Sequence, residues 1–377
     1  MARGTKQSTA EEAAHVPQGM PALDLGGRAY SFFEFWPSWL MYIPVAALWL
    51  LLALRHRSIS LPLIANPAVP LSGMVGVPKS AILKLAGESA NRSILPWIVF
   101  ETGGESPSVQ RERAESAMAA AGLSYPVVGK PDIGCRGAGV KLLRDGAALE
   151  SCLEGFPAGG SLMLQRLSDF EAEAGVFYVR DPVSERGRIT SLTLKYTPYV
   201  VGDGVHTLAE LVAADPRAGG VPHLYEERNA EHWHKVIPAG NPWRLVFSAS
   251  HCRGAVFRNG GHLVTTELTR ALDRIFDDLP GFYYGRLDIK FRDVQSLQAG
   301  RELQIVEING ASSESIHIWD RRTGFFDAVK TLLQQYRTLF KLGAAHKKRG
   351  CKPPGLWPLY KAWRHELQLV KRYPAND

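Results

Sequence analysis

Apolar and polar residues alternate at period two along Tyr284-Gly-Arg-Leu-Asp-Ile-Lys-Phe291, and again along Leu303-Gln-Ile-Val-Glu-Ile-Asn-Gly310. Two β-strands joined by a short polar turn are predicted. Leu287, Ile289 and Phe291 fall on one side of the first strand, and Arg286, Asp288 and Lys290 on the other. On the second, Leu303, Ile305 and Ile308 suit a core, while Glu307 and Asn309 share a face. Neighbouring strands thus bring Asp288, Glu307 and Asn309 together. Hard cations such as Mg²⁺ or Mn²⁺ take such oxygen ligands, shared with a substrate phosphate. An ordinary hairpin with a solvated polar face fits the same pattern.

A second pattern lies upstream. Tyr125-Pro-Val-Val-Gly-Lys130 reads as a short apolar strand ending in lysine, followed by a loop with Gly134, Gly137 and Gly139. Glycines let backbone N–H groups approach phosphate oxygens, and a lysine beside them supplies a point charge. Because Lys130 precedes the glycines and no Gly-Lys-Ser/Thr follows them, this is not a P-loop. Farther along, Gly202-Asp203-Gly204 suits a tight turn, and Thr207 with Glu210 three residues on suits a capped helix.

From 35 to 54 the chain has no charged residue, which is about the twenty residues that a bilayer span requires. Trp36, Trp39 and Tyr42 cluster at one end and Arg55-His56-Arg57 closes the other, as at membrane interfaces. Pro44 predicts a kink or a shallow re-entrant hairpin rather than a straight span. The long, acid-containing stretch before it and the absence of small residues at its end argue against a cleaved signal peptide. A helix docked under a soluble domain is the alternative. The proline-rich stretch 58–78 reads as an extended connector.

At 377 residues, 45% hydrophobic and 21% charged, the chain is long enough for a substantial core with two or three subdomains. Much of the net charge of +7 lies at the C-terminus, in Lys347, Lys348, Arg349, Lys352 and the cations that follow. There, aromatics and cations interleave from Leu356 to Lys371, as in an interfacial amphipathic helix or a solvated tail helix. No nucleic-acid recognition motif accompanies them, so no nucleic-acid partner is expected. Cys135, Cys152, Cys252 and Cys351 lack metal-type spacing and read as reduced thiols. His232 and His234 flank Trp233 in a polar stretch that suits a loop more than a metal site. His317, in the 310–320 loop leaving the second strand, is the better functional candidate for contact with a transferring phosphate or an acyl acceptor.

Taken in order, Lys79-Ser-Ala-Ile-Leu-Lys84, Ile94-Leu-Pro-Trp-Ile-Val-Phe100, Lys130 with its glycine loop, Leu162-Met-Leu-Gln-Arg-Leu167, and Arg286, Asp288, Glu307 and Asn309 resemble the ATP-grasp superfamily, most closely the D-alanine–D-alanine ligase type. The Gly-Asp-Gly turn is similar to that of cyanophycin synthetase-like amide ligases. The resemblance covers about residues 79–335. It implies an α+β fold of two subdomains clasping ATP, with a hinge near 162–171. Lys79, Lys130, Gly134, Gly137 and Gly139 would hold the phosphates, Gln165 and Leu167 the adenine through their backbone, and Glu171 the ribose. Asp288, Glu307 and Asn309 would hold Mg²⁺ or Mn²⁺, with Arg286 stabilising charge on the γ-phosphate. The implied reaction joins a small-molecule carboxylate to an amine through an acyl phosphate, releasing ADP and phosphate. A kinase or a non-catalytic nucleotide-binding module would use the same residues.

The chain departs from that family before residue 79, where too little sequence lies between the apolar segment and Lys79 for a preceding α/β domain. D-alanine is therefore not indicated as the substrate. The expected organisation is a polar tail (1–34), an apolar anchor or docked helix (35–57), a connector (58–78), the nucleotide-binding domain (79–335) and a basic tail (336–377). An anchored chain using ATP would place its catalytic domain on the cytoplasmic face of the membrane.

Overall fold

The computed structural model describes residues 15–374 apart from 25, 27, 135, 136, 249, 251 and 252, so Cys135 and Cys252 lie outside the described residues. In chain order, α1 (Ser38–His56), α2 (Lys79–Leu83) and α3 (Glu88–Asn91) precede a first lobe. That lobe comprises β1 (Trp97–Glu101), α4 (Pro107–Ala120), β2 (Val127–Pro131), β3 (Lys141–Leu143), α5 (Gly146–Glu154) and β4 (Ser161–Arg166). Its strands form an antiparallel sheet in the order β1-β4-β2-β3. Leu162 and Leu164 of β4 face Ala114, Met118, Leu149 and Leu153 of the two helices. By alternation, Lys130 and Gln165 fall on the opposite face.

The second lobe holds β5 (Ala172–Arg180), β6 (Gly187–Tyr196), an insertion with β7 (Tyr199–Val201), α6 (Leu208–Ala214) and β8 (Pro242–Arg244), then β9 (Val256–Asn259), α7 (Thr266–Asp277), β10 (Tyr284–Phe291), α8 (Val294–Gln298) and β11 (Leu303–Asn309). Its five-stranded antiparallel sheet runs β11-β10-β5-β6-β9. One face carries Ala174, Val176, Tyr178, Leu192, Leu194, Leu287, Ile289 and Ile305 against Leu268, Leu272, Ile275 and Phe276 of α7. The side chain of Thr265 caps α7, accepting from the Leu268 N–H at 3.0 Å. With both sheets antiparallel and helices laid on them, the class is α+β, as expected. The lobes are joined through residues 167–171, within the stretch expected to act as hinge.

The predicted strands are present, with a refinement. Ile305 and Ile308 both reach the core although three residues apart, because the register slips between Asp288 and Ile289. The slip is a β-bulge at Val306: Asp288 pairs with Glu307 and Ile289 with Ile305. Thr207 and Glu210 form the expected capping box, and Asp203 accepts from the Val205 and His206 N–H groups.

Four expectations about the flanks need correction. Residues 58–78 are not an extended connector. Leu61–Ile64 is a 3-10 turn buried along its whole length, and Pro70–Gly73 is a tight turn in which Leu71 and Ser72 take left-handed φ and Ser72 and Gly73 are buried. Asn66 there is fully buried, donates to the Tyr284 carbonyl at 2.8 Å and accepts from the Tyr283 and Tyr284 N–H groups. Residues 15–34 are no loose tail either: Met20 joins the large core, and Phe33 is fully buried beside α1. The boundary at 336 falls inside a single helix, α9 (Phe325–Lys348), whose Leu339, Phe340 and Leu342 are buried.

Finally, α1 passes through Pro44 as one helix, which overturns the hairpin alternative. Pro44 forfeits only its own bond to the Leu40 carbonyl, while Met41 and Val45 on either side pack on Ile318, Ala328 and Leu332. Among the described residues α1 is the one helix long and apolar enough to cross a bilayer, yet it lies along α9. Its outer face, with Trp39, Ile43, Leu50, Leu51 and Leu54, is exposed. After α9, helix α10 (Leu356–Val370) leads back toward the cleft: Glu366 accepts from the Gly76 N–H at 2.5 Å, and Tyr373 beyond it donates to the Ile133 carbonyl at 2.7 Å.

Candidate active site

Alternation along the five-stranded sheet places its polar positions on the face turned away from α7, where Glu173, Lys195, Arg286, Asp288, Lys290, Glu307 and Asn309 form the floor of a cleft. Asp288 stands opposite Glu307 on one side and Gly175 on the other. A side chain at Gly175 would collide with Ile316 and crowd the Arg286 stem, so glycine there makes room for the guanidinium. Arg286 donates to Asp288 at 2.9 and 3.3 Å and to the Glu314 carbonyl at 3.2 Å. Lys195 pairs with Glu173 and lies 3.6 Å from Asp288, while Lys290 meets Glu173 at 2.9 Å.

These charges sustain one another in a dry setting. Burial opposes ionisation of Glu173, but the Lys195 and Lys290 ammoniums hold its carboxyl down at about 2. Burial likewise opposes charge on Asp288, which Arg286 and Lys195 overcome, keeping its pKa below the usual carboxylate range.

The other wall comes from the first lobe. Lys130 is 5% exposed and donates to Gln165 Oε1 at 2.8 Å and to the Val306 carbonyl, at the bulge, at 3.0 Å. Burial, only partly offset by Glu307, brings its pKa down to about 8. Lys79 donates to the carbonyls of Pro131 and Gly134 at 3.1 and 2.8 Å and lies 4.0 Å from Glu307. It is positioned by Asp132, whose carboxylate accepts from the Ser80 N–H and hydroxyl and whose carbonyl accepts from the Lys79 N–H. Gly137 takes a left-handed φ of +71°, and a Cβ there would be 2.9 Å from Arg253. The cleft between the lobes measures about 1680 Å³.

The cleft brings together Lys79, Lys130, Gly134, Gly137, Gln165, Leu167, Glu171, Arg286, Asp288, Glu307 and Asn309 from the sequence-based set. Gly139 is not on its wall and packs against Pro131 and Tyr373. Glu171 lines the cleft, but its carboxylate accepts from the Gln18 N–H at 2.9 Å. His317 does not reach the cleft. The 3-10 turn Ile316–Trp319 puts positions 316 and 319 on the wall and leaves 317 off it. Its imidazolium is disfavoured by burial. His232 stacks on Trp243, outside the cleft wall.

Glu173, Lys195 and Lys290 were not singled out by sequence, nor were Glu314 and Tyr42, which meet on the wall of the cleft. Lys290 alternates visibly with the core positions of β10, whereas Glu173 and Lys195 sit in strands buried along most of their length.

Among the described residues no three His, Cys, Asp or Glu side chains are grouped to hold a metal. Asp288, Glu307 and Asn309 instead offer two carboxylates and an amide. That set suits Mg²⁺, which keeps waters and completes its shell with phosphate oxygens. Asn309 Nδ2 is buried without a hydrogen bond among the described residues, and Glu307 meets Lys79 only at 4.0 Å. The Glu307 carboxylate, held by no closer contact among the described residues, leaves ligand capacity on the cleft wall. Asn309 can ligate only through Oδ1, its Nδ2 being a donor. With Asp288, the set of two carboxylates and an amide oxygen fits a divalent cation.

No protein-family model matches the chain, and no curated protein sequence matches it. Solved structures do. A bifunctional glutathione synthetase from Pasteurella multocida matches over 68% of this chain and 36% of its own, at 16% identity and a TM-score of 0.35. N5-carboxyaminoimidazole ribonucleotide synthetase, as an ADP complex, matches over 63% and 45%, at 15% identity and 0.36. VanG D-Ala:D-Ser ligase from Enterococcus faecalis matches over 70% and 62%, at 12% identity and 0.37. The chain thus spans less than half the length of the first two. The ATP-grasp ligase PsnB, complexed with a minimal precursor, matches over 68% of this chain and 59% of its own, at 13% identity and 0.34.

Proposed function

We propose that the protein is an ATP-dependent ligase that joins a carboxylate to an amine. The observation that carries this reading is the convergence on one cleft of Lys79 and Lys130 from the first lobe with Arg286, Asp288, Glu307 and Asn309 from the second. Lysines beside a glycine loop suit the phosphates of ATP. Mg²⁺ held by Asp288, Glu307 and Asn309 would neutralise phosphate charge. A carboxylate oxygen of the substrate attacks the γ-phosphorus, ADP leaves, and an acyl phosphate forms. The amine then attacks the acyl carbon, phosphate leaves with the C–O electron pair, and the amine's proton passes to solvent. Positioning and charge carry most of phosphoryl transfer. Here Arg286, fixed by Asp288 and the Glu314 carbonyl, is pre-aimed at the γ-phosphate and the tetrahedral intermediate. Glu314, whose carboxylate accepts from Tyr42 and from Trp319, lines the same cleft and offers a counter-charge to an ammonium.

The exposed apolar face of α1 supports attachment at a membrane surface, with the helix lying in the interface while its other side stays docked on α9. The need for ATP puts the cleft on the cytoplasmic side. The test is to compare polar metabolites and lipid extract from cells with and without the protein, then assay the differing compounds with ATP. A ligase releases ADP and free phosphate in equal amounts. Phosphate retained on the product would make the protein a kinase.

A further inference from the structure

The wall of the cleft includes Phe35, Trp36 and Tyr42, where the chain enters α1. Phe35 and Trp36 also line a second groove of about 500 Å³ with Arg28, Ala29, Tyr30 and Phe32. The groove and the cleft are therefore neighbours, with these two rings lining both. A volume of this order is that of a small-molecule site, roughly 300–1,000 Å³.

The groove is built. Glu34, 2% exposed, meets Arg217 at 2.5 Å, and that guanidinium lies 5.1 Å over the Tyr30 ring. Phe33 packs on Trp319 and Phe325 from behind. Ser31, also lining the groove and 7% exposed, has a buried hydroxyl with no hydrogen-bond partner among the described residues. At its outer edge Phe32 and Phe35 are 60% and 46% exposed, continuous with the apolar face of α1 at Trp39 and Ile43. An apolar groove thus lies between a surface suited to a bilayer interface and a polar cleft. Such a position is of use to a molecule with both characters.

We propose that this groove seats the hydrocarbon chain of an amphiphilic substrate, whose head group passes Trp36 and Tyr42 into the cleft while its chain remains beside α1. This rests on the ligase reading of the cleft and names the class of substrate that it takes: a carboxylate or amine carried on an alkyl or acyl chain. Arg28 at the groove fits the anionic surface from which such a molecule would be drawn.

The test uses the full-length protein without nucleotide, so that it is independent of the ligase reading. Binding of acetate, hexanoate, octanoate and decanoate, each below its micellar concentration, is followed by tryptophan fluorescence and calorimetry. Affinity is expected to rise about fourfold per methylene over the length that the groove covers. Ala29→Trp, which fills the groove, is expected to flatten that rise. Phe35→Glu, at an exposed ring, is expected to do the same by placing a carboxylate beside the chain. Affinity independent of chain length in the unmodified protein would overturn the proposal. So would a chain-length dependence that both variants keep.

Discussion

Lys130 on β2 donates to the carbonyl of Val306 on β11, 3.0 Å away, and so ties the sheet of one lobe to the sheet of the other at the bulge that sets Glu307 opposite Asp288.

The first prediction concerns pH. Lys130 titrates near 8 in the folded protein against an ordinary 10.5. A bound polyphosphate favours the ammonium, so above pH 8 binding requires proton uptake. ATP affinity should therefore fall as pH rises beyond about 8, by at most about tenfold per unit. Lys130→Met should bind more weakly and lose this dependence. Calorimetric titrations from pH 7 to about 9.5 measure both, and a flat profile in the unmodified protein would contradict the assignment.

The sign for folding is the reverse. Between about 8 and 10.5 the unfolded chain holds the Lys130 proton more tightly than the folded one. This group alone makes the protein more stable as pH rises through that window. Urea midpoints for the unmodified protein and Lys130→Met should diverge with that sign.

The two carboxylates should separate catalysis from stability. Glu307→Gln removes charge at a partly exposed side chain and should cut ADP release on the order of 100-fold or more, with the melting temperature kept. Asp288→Asn should slow turnover similarly and also lower the melting temperature, since Arg286 and Lys195 lose a buried counter-charge. Normal turnover in both variants would remove these residues from the site.

Much of this site is legible in the sequence for one reason. Strands β10 and β11 have one dry and one polar face, and period two then assigns Arg286, Asp288, Glu307 and Asn309 directly. Even the bulge is written in the spacing of Ile305 and Ile308. What sequence cannot show is register between strands distant along the chain. Glu173 and Lys195 meet only because β5 pairs with β6 and β10, and both strands read as buried runs. The flanks were misjudged for a related reason. Prolines at 62, 67 and 70 look like punctuation of a linker, but Pro62 opens a 3-10 turn that buries Leu61 and Ile64 against Phe340 of α9. His317 lies one position past Ile316 in a 3-10 turn, where residues three apart share a face, and that is enough to take it off the wall.

Arg217 should matter for folding although it lies far along the chain from the groove it supports. Arg217→Met leaves the buried Glu34 carboxylate without its guanidinium, and the stability lost should be roughly 3–5 kcal/mol. Denaturant unfolding followed by circular dichroism measures it, and a change within about 0.5 kcal/mol would mean that the pair is not desolvated.

The outer face of α1 should govern membrane attachment. Leu50→Glu with Leu54→Glu changes side chains exposed in the folded protein, so folding should survive while hydrophobic association is lost. The unmodified protein should sediment with anionic vesicles and resist a high-salt wash, whereas attachment of the double variant through basic residues should be salt-sensitive. A soluble, monodisperse unmodified protein would contradict attachment by this helix.

The claim on which the rest depends is that the cleft between the lobes holds Mg·ATP, and calorimetric titration of Mg·ATP into the full-length protein at neutral pH tests it most directly. Saturable binding is expected, weakened in Lys130→Ala by roughly 1.5–3 kcal/mol, the worth of a charge-assisted contact. It should also be weakened in Glu307→Gln when Mg²⁺ is present but not when it is chelated. Binding that is absent, or equally tight in all three proteins, would contradict the account.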